Sequence, residues 1–421
     1  MKGQGKMAKE KVKENDIYIG CYGDKLKPSK AKEFIIRNIK DNLEREKPFA
    51  INMWGSPGCG KTSIVKDFCK ESIEWNGKVY EGIKVIDVPL AQIEEMGEIC
   101  GLPETFVEME KDGNTKWFMK DFVGEMLKNG WMPTDKMPIT KNAPPSWVPI
   151  EECPGIILFD DGNRAGQRIM KGLMQLVQDG RTISWSLPKG WTIIFTGNPD
   201  NRWNQVTSMD SAQLTRMKHI TLEPDAKEWA KWATEVGLDE RGINFILKYP
   251  EMMIGSERTN PRTLSEFFHV LKRYPKKLNS EDLSELYVEA RSLLDEETVE
   301  TMMVFFLRDV ELVISPEMIL EENDKALKEL KQLMNREEPR VDIINIVNDR
   351  LIAYLCSSTY EFESAHIKSV QNWMLSNDLP KDTSYGFIRS ILLGGCKEGK
   401  KFISGNKDIL KLVEDTYKFK G

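Results

Sequence analysis

A chain of 421 residues with 40% hydrophobic and 30% charged side chains is long enough for two or three domains with sizeable cores. No stretch approaches the roughly 20 uninterrupted apolar residues of a membrane helix, and no apolar signal-peptide core opens the chain, so it is expected to stay in the cytoplasm. The net charge of -6 argues against a surface that is one large nucleic-acid footprint, and seven scattered cysteines and three distant histidines leave little for a disulfide framework or a histidine zinc site.

Residues 1–28, with Lys2, Lys6, Lys9, Lys11 and Lys13 near the start, read as a basic, solvated tail. Between Ser29 and Glu46, Ile35, Ile36, Ile39 and Leu43 recur at helical spacing, and Pro48 ends that helix. Phe49 to Trp54 reads as a buried strand, followed by a glycine-rich turn and a helix carrying Ile64, Val65 and Phe68 on one face. Val85 to Val88, Ile156 to Phe159, Thr192 to Thr196 and His219 to Leu222 read as further central parallel strands, with a helix over Arg168 to Gln178. Strands alternating with helices predict a doubly wound α/β domain over 29–224.

Two segments interrupt that rhythm. The stretch 103–149, rich in Gly, Pro, Lys and Asp with Trp117, Phe118, Trp131 and Trp147, reads as an insertion carrying a functional loop or hairpin. Thr182 to Leu187, then Pro188-Lys-Gly190, reads as a hairpin ahead of the Trp191 strand. From Asp225 on, helical patterns take over: Ala226 to Glu235 and Arg262 to Arg273 in a lid over 225–278, then Asp342 to Leu355 in a helical region over 279–421. The stripe Ile343, Val347, Leu351 and Tyr354 reads as core.

The string Gly55-Ser56-Pro57-Gly58-Cys59-Gly60-Lys61-Thr62 fits G-x-x-x-x-G-K-[ST], and it follows a predicted strand and opens a predicted helix. In such a loop the glycines turn backbone N–H groups inward around phosphate oxygens at a helix N-terminus, with Ser63 in the first turn. Lys61 would meet the β and γ phosphates as a point charge, and the Thr62 hydroxyl would bind Mg²⁺. A second acidic element should end another buried strand, and Ile156-Ile-Leu-Phe-Asp160-Asp161 supplies it. Asp160 would bind Mg²⁺ through water, and Asp161 would polarise the attacking water. After the strand Trp191 to Thr196, Asn198 can hydrogen-bond both water and phosphate without adding charge.

FDDGNRA (159–165), LMQLVQDGR (173–181), LPKGWTIIFTGNP (187–199) and AQLTRMKHITLEPD (212–225) together resemble the MoxR-like AAA+ ATPases in order and spacing, over about residues 30 to 275. The resemblance implies an α/β P-loop AAA+ core (parallel sheet flanked by helices) followed by a helical lid and a further helical C-terminal region, binding ATP and Mg²⁺. It implies an asparagine–arginine pair at Asn163 and Arg164, an arginine finger at Arg216 reaching a neighbouring subunit's nucleotide, and a second sensor arginine at Arg262 in the lid. It also implies a ring homo-oligomer, a hexamer, working with a von Willebrand factor A domain protein to remodel or mature a client complex, with the insertion and the hairpin lining the pore or meeting partners. The family carries Asp-Glu where this chain has Asp160-Asp161; the shorter side chain predicts slow or partner-dependent hydrolysis. Two other readings are a nucleotide-gated assembly scaffold and a nucleic-acid motor or loader, the second disfavoured by the acidic balance.

Overall fold

The computed structural model describes residues 18–201, 204, 206–254, 256–308, 313–336, 338–356, 362–393, 399–403 and 406–411. The chain divides into two compact units, Met1–Glu223 and Pro224–Gly421.

The first unit is built on six strands: β1 (Lys25–Leu26), β2 (Ala50–Trp54), β5 (Lys84–Pro89), β10 (Gly155–Asp160), β11 (Trp191–Gly197) and β12 (Met217–Leu222). They form one parallel sheet in the order β1-β12-β2-β11-β10-β5. Parallel strands need crossover connections, and crossovers place helices on both faces, so the inner strands are mostly apolar and do not alternate apolar with polar. Every residue of β2 and β11 is buried. On one face α1 (Pro28–Leu43) and α2 (Lys61–Lys66) set Ile35, Ile39 and Val65 against Ile51, Met53, Ile156, Leu158 and Ile194. On the other, α5 (Gln167–Asp179) sets Ile169, Leu173, Leu176 and Val177 against Ile157, Phe159, Ile193 and Phe195. Neighbouring residues of a strand thus feed opposite cores, the two-residue period of a pleated strand. The architecture is the α/β core with a helical C-terminal region that the motifs predict.

Val85 to Val88 reads as a central strand, but β5 stands at the sheet's end and, among the described residues, pairs with β10 alone. Only Val88 of that run is fully buried, and Pro89 at the end of the strand suits an edge. Residues 18–28 are folded and not part of a tail: Tyr18 is buried, and β1 pairs with β12 through Lys25↔Thr221 and Leu26↔Leu222. The remainder of that tail, 1–17, lies outside the described residues. The segment Thr182 to Leu187 closes as the expected hairpin, a short one, with one antiparallel bridge, Arg181↔Ser186, Thr182 N donating to Trp185 O at 2.8 Å and Leu187 N to Gly180 O at 2.7 Å. Trp185 is buried beneath it, its Nε1 donating to the Ile99 carbonyl at 2.9 Å.

Two small antiparallel sheets decorate this unit. β3 (Ile73–Trp75) and β4 (Lys78–Tyr80) form a hairpin on Asn76-Gly77, both at positive φ, the left-handed pair of a type I′ turn. Between α3 (Gly97–Cys100) and β10, β6 (Leu102–Lys111) pairs with β7 (Asn114–Met119), β8 (Met132–Pro133) and β9 (Ile139–Ala143), with α4 (Val123–Lys128) between β7 and β8. Its hairpin turns on Asp112-Gly113, again both at positive φ.

The last helix of the first unit is α6 (Ser211–Leu214), capped by a reciprocal Asp210–Gln213 box. The second unit is helical among the described residues. Helices α7 (Ala226–Glu235), α8 (Glu240–Lys248), α9 (Pro261–Leu271), α10 (Ser280–Leu293) and α11 (Glu296–Arg308) enclose Trp229, Phe245, Phe267, Phe268 and Phe305. Helices α12 (Pro316–Glu321), α13 (Asn323–Met334), α14 (Val341–Leu355), α15 (Ser364–Met374), α16 (Lys381–Leu393) and α17 (Gly399–Ile403) enclose a second cluster. There Ile343, Val347, Leu351 and Tyr354 are buried, as their stripe predicts. No helix among the described residues is long and apolar enough to cross a membrane.

Leu173 is fully buried where α5 meets the sheet. Truncating it to alanine removes apolar burial and leaves a cavity, at a cost of about 3 kcal/mol. Urea unfolding of Leu173→Ala is expected to show a lower midpoint at an unchanged slope; an unshifted midpoint would mean that α5 does not pack there.

Candidate functional site

The chemistry-bearing residues lie at the carboxyl ends of β2, β10 and β11, three adjacent strands, where open parallel sheets present their ligand sites. β2 ends at Trp54, and the chain turns through Gly55–Gly60 into α2. Gly58 and Gly60 hold φ of 74° and 95°, the left-handed region that glycine enters without steric cost. Gly55 is needed for closeness: a Cβ there would stand 2.9 Å from Cys59 Sγ and 3.0 Å from the Leu222 carbonyl. The side chain of Cys59 packs into the core beside Val65, so it can offer the site only backbone. Pro57 is half-buried and Ser63 exposed.

Lys61, 6% exposed, begins α2. Its ammonium donates to Gly55 O at 2.7 Å, Ser56 O at 3.1 Å and Asn198 Oδ1 at 3.0 Å, which uses all three of its N–H groups. A buried charge is tolerable only with its donors satisfied, and here two loop carbonyls and one strand-end amide satisfy them. Thr62 Oγ1 lies 2.9 and 3.0 Å from the two oxygens of Asp160. Thr196 Oγ1 donates to Asp160 Oδ1 at 2.5 Å and accepts the Asp161 N–H at 2.9 Å.

Asp161 adopts φ 53°, and aspartate is among the few non-glycine residues that populate this region readily. A longer side chain loses that advantage, which gives aspartate a backbone reason at a position where the resembling family has glutamate. Its carboxylate accepts from Asn198 Nδ2 at 2.7 Å. Asn198, 2% exposed, therefore links Lys61 to Asp161 through the two ends of one amide. Asn163 fixes it: Asn163 Nδ2 donates to Asn198 O at 2.7 Å, and Asn198 N donates to Asn163 Oδ1 at 2.9 Å.

The residues fit a magnesium nucleotide. Thr62 and Asp160 bring a hydroxyl and a carboxylate, both hard oxygen donors, into contact, the sparse protein share of a cation that completes its shell with phosphate and water. Ser56 Oγ is buried with no hydrogen-bond partner in the structure, a donor set in the loop that would meet phosphate. Among the described residues no cluster of three or more His, Cys, Asp or Glu could hold a metal by itself, and no disulfide joins the six described cysteines.

The Arg216 side chain makes its hydrogen bonds outside this network. Arg216 follows α6; its Nε donates to Gln178 Oε1 at 2.8 Å and its Nη1 to Ala212 O at 2.5 Å. Arg262 belongs to the second unit, exposed in the first turn of α9 behind the Asn260 cap. Arg164 is exposed beside the buried Asn163. Sequence reasoning missed Thr196, whose hydroxyl ties both aspartates together: a threonine in a fully buried strand gives no periodic signal. It also missed the contact between Trp54 and His219, two residues that read only as strand.

No protein-family model matches this sequence, and no curated protein matches it. Solved structures similar to it include point mutants of Thermotoga maritima RuvB, each 12% identical. One aligns with TM-score 0.31 over 74% of this chain and 85% of that one. A second aligns with 0.29 over 74% and 87%, and a third with 0.30 over 73% and 76%. Likeness at that level adds nothing to the site, whose reading rests on the contacts above.

Thr196→Val keeps the volume and the β-branch but leaves Asp160 Oδ1 with Thr62 as its hydroxyl partner and strands the Asp161 N–H. Loss of two buried hydrogen bonds is expected to cost about 2 kcal/mol. The expected result is a lower melting temperature and weaker magnesium-dependent nucleotide binding by titration calorimetry; unchanged values would show that the hydroxyl is not needed.

Proposed function

We propose that this chain binds Mg-ATP at the Gly55–Ser63 loop and hydrolyses it, as an AAA+ ATPase of the MoxR-like kind acting in a ring to remodel or mature a client complex. One observation carries the reading: Lys61, Thr62, Asp160, Asp161 and Asn198, from three strand ends, share one hydrogen-bonded network. In the bound state Lys61 exchanges loop carbonyls for β and γ phosphate oxygens, since a point charge released from carbonyls is free to follow a stronger acceptor. Thr62 and Asp160 hold the cation, whose charge offsets that developing on the phosphate oxygens. Asp161 accepts from the attacking water, and Asn198 orients that water against phosphate. Arg216 acts across a subunit boundary, in a hexamer by resemblance, and Arg262 as the lid's sensor. A von Willebrand factor A domain protein is the implied partner.

A nucleotide-gated scaffold is the second reading, and the Asn198 tether on Asp161 favours it. A short carboxylate with one oxygen held by an amide at 2.7 Å has a fixed direction and only its remaining acceptor sites to offer water, so ATP would assemble the ring with little turnover.

Lys61→Ala is expected to abolish ATP binding in a nucleotide-titration assay and, because three acceptors lose their shared donor, to lower the melting temperature; normal binding would defeat the loop assignment. Asp161→Glu separates the two readings. Glutamate pays about 1 kcal/mol for the left-handed backbone but reaches one methylene further. A rise in steady-state ATP turnover supports the machine, whereas unchanged turnover with ATP-dependent assembly intact supports the scaffold.

A further inference from the structure

We infer that His219 is a positioning residue that ties the phosphate loop to Arg216 within one chain, an inference that rests on reading Arg216 as the trans-acting arginine. Trp54 is the last residue of β2 and adjoins Gly55. Its indole also lies against the end of β11: a Cβ on Gly197 would stand 2.8 Å from the Trp54 ring. The ring therefore borders both strands that deliver Lys61 and Asn198.

Trp54 Nε1 lies 3.1 Å from His219 Nδ1. Indole N–H can only donate, so Nδ1 must accept and the imidazole proton sits on Nε2. That Nε2 lies 2.8 Å from the Leu214 carbonyl, which it meets as a donor. Burial pushes the His219 pKa below its ordinary value, against the opposing pull of that carbonyl, and the neutral ring is the form this relay requires. The two rings stack at 6.1 Å and 24°, and Tyr22 covers both at 5.6 and 5.8 Å.

Leu214 is the last residue of α6, two positions before Arg216. Its carbonyl is one of the helix-terminal acceptors that a short helix cannot satisfy internally. His219 satisfies it, and Arg216 itself satisfies Ala212 O one turn earlier. The chain of contacts is thus continuous: phosphate loop and sensor strand, Trp54, His219, the end of α6, Arg216. A shift at Gly55 or Gly197 on nucleotide binding moves the indole, and two directional hydrogen bonds pass that movement to the helix that aims the arginine.

The test is a mutant cycle on steady-state ATP turnover by the full chain. His219→Phe keeps the stack and removes both hydrogen bonds; it is expected to lower kcat about tenfold, the rate equivalent of one or two neutral hydrogen bonds, with the KM for ATP changed less than about twofold. His219→Gln can accept through Oε1 and donate through Nε2, and is expected to recover most of the rate. Trp54→Phe removes the indole N–H together with part of the buried ring, and should His219→Phe fold poorly it tests the relay from the other end: its loss should likewise vanish in the Arg216→Ala background. Arg216→Ala is expected to lose on the order of 10³-fold, and adding His219→Phe to it should cost nothing further. Multiplicative losses in the double variant would place His219 with the phosphate loop alone and overturn the inference. So would equal losses in His219→Phe and His219→Gln. Arg216→Ala at the wild-type rate would remove the arginine reading and this inference with it, while leaving the Lys61 site standing.

Discussion

The ammonium of Lys61 is the constraint on which the site depends. Buried and carrying a full charge, it needs three acceptors, and it finds two in its own loop and one on β11. Gly55 can approach Cys59 and Leu222 closely enough to present its carbonyl only because it has no side chain. Asn198 can present its amide oxygen only because Asn163 clamps its backbone on both sides. The placement of one charge thus fixes the loop conformation and the end of the neighbouring strand together.

From there the network runs outward by substitution of partners. Asn198 spends its amide oxygen on Lys61 and its amide nitrogen on Asp161, so the cation and the carboxylate sense each other through one planar group. Thr196 does the same for the two aspartates, donating to one and accepting from the backbone of the other. Because each bridging group has a fixed number of donors and acceptors, a phosphate that takes Lys61 from its carbonyls also alters what Asn198 offers Asp161. On the proposed reading of Asp161, a site of this construction couples occupancy to the state of that carboxylate.

The sheet supplies the rigidity this requires. Its inner strands are covered on both faces by α1 and α2 on one side and α5 on the other, and close-packed cores resist small displacements. The elements left free to differ from a minimal α/β unit sit at its rim: the β6–β9 sheet, the β3–β4 hairpin and the turn at Thr182, which Trp185 pins to Ile99. Both hairpin turns announce themselves as Asn76-Gly77 and Asp112-Gly113, and the second lies within 103–149, a stretch read as an insertion with a loop or hairpin, where β6 and β7 pair across it.

By itself the sequence determined what local chemistry determines. Largely apolar runs marked β2, β10, β11 and β12 because a strand buried on both faces does not alternate; helical stripes marked α1, α5 and α14; and the glycine spacing with Lys61-Thr62 marked the loop proposed to hold phosphate, because glycines let a backbone turn its N–H groups inward. Tertiary structure decided everything that depends on which residues meet. Val85 to Val88 has the same composition as a central strand, and only its place in the sheet makes it an edge. Thr196 and His219 look like ordinary strand residues, and their roles arise from partners 36 and 165 positions away in the chain. Asp161 carries an acidic side chain in any reading, yet its left-handed backbone and its bond to Asn198 exist only once β10 and β11 lie side by side. Hydrogen bonds between distant segments leave no periodic trace, since each is set by the geometry of two strand ends and not by the spacing of residues along either one.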